Sequence, residues 1–214
     1  QYMWRHNEPY LFYPEGGRSR SGRILKPKLG IIKNIFEFVE NQRRPVWFVP
    51  ISLSYTCVPE DLAIEESRRG SNISYGDVIQ QLTALNREYA VYRRTETYVS
   101  LGEPVRIEPG ALPDLEDFSR ELLVRVRDGL RLTPTYEAAA MILNNLENRG
   151  DLQCFAADRL QVLDHRCPTA ELENALEIFQ HKNFIRALDG RDRLHAVSNL
   201  ELLQQYANRC QCDF

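Results

Sequence analysis

Residues 11–28 read LFYPEGGRSRSGRILKPK, an apolar and aromatic segment followed by a loop rich in glycine, serine and arginine. The aromatic residues from Tyr10 to Tyr13 predict a short strand that ends at Pro14, because proline has no N–H for a ladder. Beyond the loop, apolar residues recur at helical spacing and predict a helix from Leu29 to Glu40. Strand, loop and helix in this order are typical of α/β sheets, which bind ligands at the carboxyl ends of their strands.

The next apolar segment is VWFVPISL, from Val46 to Leu53. Its nearly continuous apolar character predicts a strand that is covered on both faces, as in parallel sheets. Pro50 lies inside this segment and favours an edge strand or a bulge, because it cannot donate to a neighbouring strand.

The rest of the chain is more helical towards its carboxyl end. Polar residues from Glu60 to Tyr75 indicate a surface segment, and Val91 to Leu101 alternates as a strand does. The turn Asp189-Gly190 predicts a hairpin within Phe184 to Val197. We therefore expect an α/β part over residues 1–150 and a small helix-rich appendage with a hairpin over residues 151–214. The predicted helices are Asp77 to Glu88, Asp114 to Leu130, Thr135 to Glu147 (with Pro134 as a break before it), Ala156 to Leu163 and Thr169 to Gln180.

Composition limits the class of protein. The 214 residues include 27 Lys and Arg against 30 Asp and Glu, for a formal net charge of −3, so no general basic field attracts nucleic acid. The chain is 43% hydrophobic and has no apolar run of the ~20 residues that span a bilayer. Five cysteines at irregular spacing fit a reducing cytosolic compartment. We therefore expect a globular protein whose contact with a membrane, if it has one, is peripheral.

The chemistry of the loop suits a phosphorylated ligand. Gly16 and Gly17 permit positive φ and a close approach of the backbone to a ligand. Arg18 and Arg20 provide forked donors for phosphate oxygens, and Ser19 provides a neutral one. Further cations follow at Arg23, Lys26 and Lys28. Two alternatives are that these arginines are merely solvated and that the Arg-Ser-Arg stretch is a phosphorylation or RNA-contact segment.

The cysteines and histidines do not predict a metal site. Cys210 and Cys212 are separated by one residue without a second pair at matching spacing, and His165 with Cys167 fails on the same ground. We expect no metal and no bound cofactor.

Several motifs together resemble the glycerol-3-phosphate acyltransferase family. FYPEGGRSRSGRILKPKLG, from Phe12, resembles its third conserved block, and FVPISLSY, from Phe48, resembles its fourth. YVSLGEPVRI, from Tyr98, and RLTPTYEAAAMI, from Arg131, resemble the strand and helix that follow in the bacterial membrane-associated enzymes and their dihydroxyacetone-phosphate relatives.

This resemblance implies transfer of a fatty acyl group from acyl-CoA or acyl carrier protein to the 1-hydroxyl of glycerol 3-phosphate, in phospholipid biosynthesis. It also implies part of an acyltransferase-like α/β sheet flanked by helices, peripheral to the cytoplasmic face of the cell membrane. Pro50 would shape the structure near the site, and Glu15 would either orient the arginines or pair only with Arg18. The substrate-binding residues carried over from the motif are Glu15, Gly16, Gly17, Arg18, Ser19, Arg20 and Lys28.

The sequence departs from the family at the catalytic base. The family uses a His and an Asp separated by four residues, comparable to the His-Asp part of a serine-protease triad. None of the four histidines has an Asp at that distance along the chain. The residues found there are Leu11 after His6, Ala170 after His165, Arg186 after His181 and Leu200 after His195. The chain therefore offers no catalytic residue, and we expect an inactive piece of a longer enzyme. One alternative is a non-catalytic phospho-ligand-binding or regulatory module. The other is a phospho-ligand or nucleic-acid binding loop without lipid chemistry, whose similarity to the family is accidental.

Overall fold

The computed structural model describes residues 8–17, 19, 21–58, 95–149, 154–157, 160, 169–188 and 194–208. Helices and small sheets alternate through these residues, which confirms a mixed α/β class, whereas the acyltransferase-like sheet stays a prediction. The elements in chain order are α1 (Leu29–Gln42), β1 (Val46–Phe48), β2 (Ile51–Tyr55), β3 (Thr97–Leu101), β4 (Val105–Ile107), α2 (Leu115–Asp128), α3 (Pro134–Arg149), β5 (Cys154–Ala156), α4 (Thr169–His181), β6 (Ile185–Ala187), β7 (Leu194–Val197) and α5 (Leu200–Ala207).

Strands β1 to β4 form a two-stranded antiparallel ribbon with an irregular middle. β1 pairs with β4 and β2 with β3, and the Gly102 N–H donates to the Pro50 carbonyl at 2.8 Å between the two ladders. Two residues, at 49 and 50, face three at 102–104, so the ribbon contains a bulge. The expected single strand in a parallel sheet is therefore wrong, because Pro50 interrupts it and every described pairing is antiparallel.

The expectation that the Val46 to Leu53 segment is covered on both faces is also wrong for the described structure. Even-numbered positions from 48 to 54 are buried, and odd-numbered positions from 47 to 53 are exposed. The ribbon thus packs one face on the helices and leaves an apolar face open, as antiparallel sheets do more readily than parallel ones.

The aromatic segment before the loop is not the expected strand. Tyr10 to Tyr13 pairs with no strand among the described residues. Its rings pack instead of forming a ladder: Phe12 stacks on Tyr10 at a centroid distance of 6.0 Å and meets Phe48 edge-on at 6.4 Å.

The first apolar core lies between α1, α2 and the β1–β4 end of the ribbon. Helix α1 confirms the predicted helix and ends at Arg43, whose φ of 51° is the left-handed conformation that terminates helices. Helix α2 begins as predicted, with the Asp114 carboxylate accepting from the Glu116 and Asp117 N–H groups. The core residues are Ile32, Ile35, Phe36, Val39, Phe48, Ile107, Phe118 and Leu122.

Hydroxyl groups join β2 to the last turn of α2 and to the connection between α2 and α3. Ser52 donates to the Val126 carbonyl at 2.5 Å, and Ser54 accepts from the Arg131 N–H at 2.8 Å. The helix α3 predicted from Thr135 is confirmed, but Pro134 is its first residue and not a break before it. Proline is favoured there because the first helical N–H has no partner within the helix.

The second core unites α3, α4, α5 and the sheet β5-β7-β6 with the end of β2. The predicted helix from Thr169 and the hairpin of β6 and β7 are confirmed. The helix expected from Ala156 is wrong at its start, because Cys154–Ala156 is strand β5, paired with β7. Phe155 is fully buried and stacks on His195 at 5.2 Å, so packing on a distant strand decides this conformation.

Some predictions fall outside the described residues. These are the segment from Glu60 to Tyr75, the helix from Asp77 to Glu88, the first part of the strand from Val91 and the hairpin turn at Asp189-Gly190. The division of the chain after residue 150 stays a prediction, and α3, which precedes it, packs on α4 and α5.

Candidate functional site

The loop from Glu15 to Lys28 is closed at its base by backbone hydrogen bonds. The Gly16 N–H donates to the Tyr13 carbonyl at 2.9 Å, and the Lys28 N–H donates to the Pro14 carbonyl at 2.7 Å. The first contact closes a turn at the start of the loop, and the second brings the two ends of the loop together. The loop is therefore a defined structural unit over its described residues.

Glu15 braces the loop from inside. Its Oε2 accepts the Leu25 N–H at 2.7 Å, across ten positions of sequence. Burial raises the pKa of the Glu15 carboxyl above its ordinary value, and the hydrogen bond from Leu25 acts in the opposite direction. Glu15 thus contacts the loop backbone, a role that neither sequence interpretation of this residue included.

The two adjacent glycines differ in what the structure requires of them. Gly16 has a φ of 76°, and a Cβ there would lie 2.8 Å from Cγ of Lys28, whose aliphatic stem covers it. Gly17 is not in the left-handed region, and nothing lies within 4 Å of where its Cβ would be. Only Gly16 therefore needs to be glycine for structural reasons, whereas Gly17 leaves open space beside the loop.

The serine hydroxyls of the loop lie close together. Ser19 Oγ and Ser21 Oγ are 3.3 Å apart, and Ser21 Oγ also accepts the Arg23 N–H at 3.4 Å. Arg18 and Arg20, the forked donors expected to bind phosphate, lie outside the described residues. The structure thus brings the stem of Lys28 against Gly16 and Glu15 against Leu25, whereas the printed contact of Ser19 is with Ser21.

Sequence reasoning missed Gly22 and its contact with α5. Gly22 has a φ of 79°, and a Cβ there would lie 2.0 Å from the Gln205 carbonyl oxygen. Asn208 at the end of α5 donates from Nδ2 to the Ser21 carbonyl at 3.2 Å. The only available signal was the glycine itself, because its partner lies at the other end of the chain.

An apolar cleft of about 500 Å³ adjoins the loop. Residues 8–15 form one wall, and the exposed face of β1 and β2 with part of α2 forms the other. Glu15 belongs to both the cleft and the loop. The volume is within the roughly 300–1,000 Å³ of small-molecule sites. The main apolar lining residues are Tyr10, Phe12, Trp47, Ile51, Leu53 and Val126.

Pro50 lies beside this cleft at the bulge of the ribbon. Its ring is 3.2 Å from where a Cβ of Gly102 would be, so the two strands approach closely here. The proline and glycine together set the change of register between the β1–β4 and β2–β3 ladders.

Other candidate residues do not join the loop. His181 and His195 lie on elements of the second core, and His195 Nε2 is 2.8 Å from Gln180 Nε2. Within the described ranges, no group of three or more His, Cys, Asp or Glu side chains is placed to hold a metal ion. His6, His165, Cys167, Cys210 and Cys212 lie outside those ranges.

Among the residues that the structure describes, no helix is both long and apolar enough to cross a membrane.

Comparison with known proteins gives a consistent set of relatives, although no family model matches the chain. A protein of Pseudomonas syringae pv. tomato named glycerol-3-phosphate acyltransferase is 25% identical over 92% of this chain. Proteins of the same name from Pseudomonas putida (strain W619) and Pseudomonas fluorescens (strain Pf0-1) are 32% and 31% identical over 46% of the chain. These matches cover 12% to 25% of the relatives' own length. Over nearly its whole length the chain is therefore similar to a bacterial protein named glycerol-3-phosphate acyltransferase.

Proposed function

We propose that this chain carries the acceptor-binding part of a glycerol-3-phosphate 1-O-acyltransferase. The observation that carries the proposal is that Glu15 belongs both to the polar loop and to the apolar cleft. A reaction between a phosphorylated alcohol and a fatty thioester needs these two environments side by side. The names of the relatives supply the identity of the acceptor.

In the proposed complex the loop holds the phosphate of glycerol 3-phosphate. Arg18 and Arg20 provide forked, charge-assisted hydrogen bonds, and Ser19 and the cation of Lys28 complete the set of donors. Gly17 leaves space for close approach of the ligand. Fixing the phosphate fixes the 1-hydroxyl relative to the thioester, which lowers the entropic part of the barrier.

The apolar cleft receives the acyl chain of acyl-CoA or acyl carrier protein. Its lining side chains are exposed in this structure, with Trp47 59%, Ile51 39% and Leu53 43% accessible. Covering them with an alkyl chain removes apolar surface from water at roughly 25 cal/mol per Å². The site therefore favours a fatty acyl donor over a short, polar one.

The chemical step needs a base that the resemblance assigns to a His and Asp pair. The base takes the proton of the 1-hydroxyl, and the hydroxyl oxygen forms the new ester bond to the acyl carbon. The carbon–sulfur bond then breaks, and the departing thiolate takes the proton from the base and leaves as the thiol. No such pair at the family's spacing occurs in these 214 residues. We therefore propose that the chain by itself binds the acceptor without catalysing the transfer, and acts in its longer form at the cytoplasmic membrane surface.

The missing pair also favours a second candidate function, a non-catalytic phospho-ligand-binding or regulatory module. Calorimetric titration of the chain with glycerol 3-phosphate, dihydroxyacetone phosphate, inorganic phosphate, glycerol and a palmitoyl thioester separates the possibilities. The acyltransferase proposal expects saturable binding of glycerol 3-phosphate and none of glycerol, with a fatty thioester binding in addition. Phosphate binding without any thioester binding would favour the second candidate, and equal binding of glycerol would contradict both.

A further inference from the structure

The phosphate loop is in contact with the last helix of the chain. Asn208, at the carboxyl end of α5, donates from Nδ2 to the Ser21 carbonyl at 3.2 Å. The next residue, Gly22, approaches the Gln205 carbonyl so closely that a Cβ would lie 2.0 Å from its oxygen. Two consecutive loop residues thus rest on one turn of helix.

The helix side of this contact is firmly anchored. Leu202, Leu203 and Tyr206 of α5 are fully buried in the second core. The Tyr206 hydroxyl accepts the Val58 N–H at 2.9 Å just beyond β2, and the Asn199 side chain caps the start of α5. Because α5 is fixed on two sides, it can serve as a rigid support for the loop.

The loop side of this contact has internal hydrogen bonds of its own. Its base is held by the Lys28 and Leu25 N–H groups, and Ser21 Oγ lies 3.3 Å from Ser19 Oγ and accepts the Arg23 N–H at 3.4 Å. The amide of Asn208 adds a polar contact between Ser21 and a different element, α5.

We propose that Asn208 is a positioning residue for the acceptor phosphate, and that α5 sets the geometry of the loop through Ser21 and Gly22. This inference rests on the proposed function, because it assigns a support to that same phosphate site. Asn208 acts through the loop backbone and does not touch the ligand. The site is then built from both ends of the chain, and a change in α5 alters the affinity for the acceptor.

Two substitutions at position 208 remove the donor in different ways. Asn208→Ala deletes the amide, and Asn208→Asp keeps the shape but places an acceptor against the Ser21 carbonyl. Loss of one hydrogen bond of this kind corresponds to a two- to tenfold change in an equilibrium constant. We expect both variants to raise the Kd for glycerol 3-phosphate by about that factor, with Asn208→Asp the weaker binder.

The matched control is Asn148→Asp, which makes the same change of charge at an exposed position of α3, where the Asn148 amide contacts only Asn144 among the described residues. The titration is monitored by the amide resonances of Gly22 and Leu25 in nuclear magnetic resonance spectra, and the Tm of each variant is measured in parallel. We expect these resonances to shift in both position-208 variants before ligand is added, while the Tm and the control stay close to the parent chain.

The outcomes distinguish this inference from the proposed function. Weaker binding in the position-208 variants, together with shifted loop resonances, supports the inference. Glycerol 3-phosphate affinity that is unchanged in both variants while the parent chain binds overturns the inference alone. If the parent chain itself does not bind glycerol 3-phosphate, the proposed function is wrong and the inference fails with it.

Discussion

Glu15 connects the chemistry of the loop to its structure, because its carboxylate both braces the Leu25 N–H and borders the apolar cleft. Glu15→Ala leaves that N–H without its acceptor, and we expect the free energy of unfolding to fall by about 1–2 kcal/mol. Glu15→Gln keeps an acceptor oxygen and should stay within roughly 0.5 kcal/mol of the parent chain. Denaturant unfolding at neutral pH measures both, and equal loss in the two variants would show that the charge itself is required.

The pKa of Glu15 gives a second prediction at this residue. Because burial raises the pKa above its ordinary value of 4.5, the folded chain binds this proton more tightly than the unfolded chain does. The contribution of Glu15 to stability is therefore fully present below the ordinary pKa and is lost as pH rises through the raised pKa. We expect the stability of the parent chain relative to Glu15→Gln to decline over this interval. A relative stability that rises with pH would contradict the assignment.

Arg18 and Arg20 are the residues on which affinity for the acceptor should depend most. In a catalytically complete, longer form of the protein, replacing either arginine by Ala removes a charge-assisted contact to the acceptor phosphate. We expect this to cost about 1.5–3 kcal/mol of binding free energy, which lowers kcat/KM for the acceptor by roughly ten- to a hundredfold. The KM of the thioester should barely change, and lysine should restore only part of the loss. The control is Arg186→Ala, at an exposed position of β6. An unchanged acceptor KM with kcat intact in both variants would exclude the loop as the phosphate site.

Sequence reasoning at the residue scale identified the loop but not all of its key positions. The adjacent pair Gly16-Gly17 drew attention because it is local, yet only Gly16 adopts a positive φ. Gly22 has an equally positive φ and is more tightly confined, but its partner Gln205 lies far away in the sequence. A contact between residues so far apart in sequence leaves no local pattern to recognise.

The helices whose apolar residues recur at a clear helical spacing were predicted well. The helices α1, α2, α3 and α4 follow from apolar spacing and from the residues that begin and end them. The ribbon was misjudged because both faces are apolar from Val46 to Ile51, which hides the alternation until Ser52 and Ser54 mark the packed side. Strand β5 is three residues long and depends on β7, so nothing local specifies it.

The exposed face of the ribbon provides a prediction at the scale of an element. Ile51→Thr and Leu53→Thr keep β-favouring residues but remove apolar surface from the cleft. We expect each variant to weaken binding of a palmitoyl thioester about threefold to tenfold. Burying a whole aliphatic side chain contributes roughly 1.5–3 kcal/mol, and each substitution removes part of that contribution. Calorimetric titration measures this change.

The control for the ribbon variants is Val99→Thr. Val99 is the cross-strand partner of Leu53 and is 62% exposed, but it does not line the cleft. The same substitution there should leave thioester affinity unchanged. If Val99→Thr weakens binding as much as Leu53→Thr, the acyl chain is not held specifically by the cleft.

At the scale of the whole molecule, the candidate site lies between the two apolar cores. Phe12, just before the loop, packs on the first core, and Gly22 within the loop rests on α5, which belongs to the second. The relative placement of the cores therefore constrains the loop just before its start and at its middle. Such an arrangement explains why neither the loop motif nor the helices alone define the site.

The whole chain also allows a prediction about activity. Because no His and Asp pair occurs at the family's spacing, we expect the 214-residue chain to transfer no palmitoyl group from palmitoyl-CoA to glycerol 3-phosphate. Release of free thiol measures the reaction, and a reaction without glycerol 3-phosphate is the blank. Acceptor-dependent turnover by this polypeptide would mean that another residue serves as the base.

The central claim is that loop and cleft form one site for the two substrates, and mapping both ligands on the backbone amides tests it most directly. The account predicts that glycerol 3-phosphate shifts the amide resonances of Gly16, Gly22 and Leu25, whereas a palmitoyl thioester shifts those of Trp47 to Val49 and Ile51 to Leu53. It also predicts that the Glu15 resonance responds to both ligands. Shifts confined to α4 and β5–β7 would contradict the account. Loop resonances that shift as much with glycerol as with glycerol 3-phosphate would also contradict it.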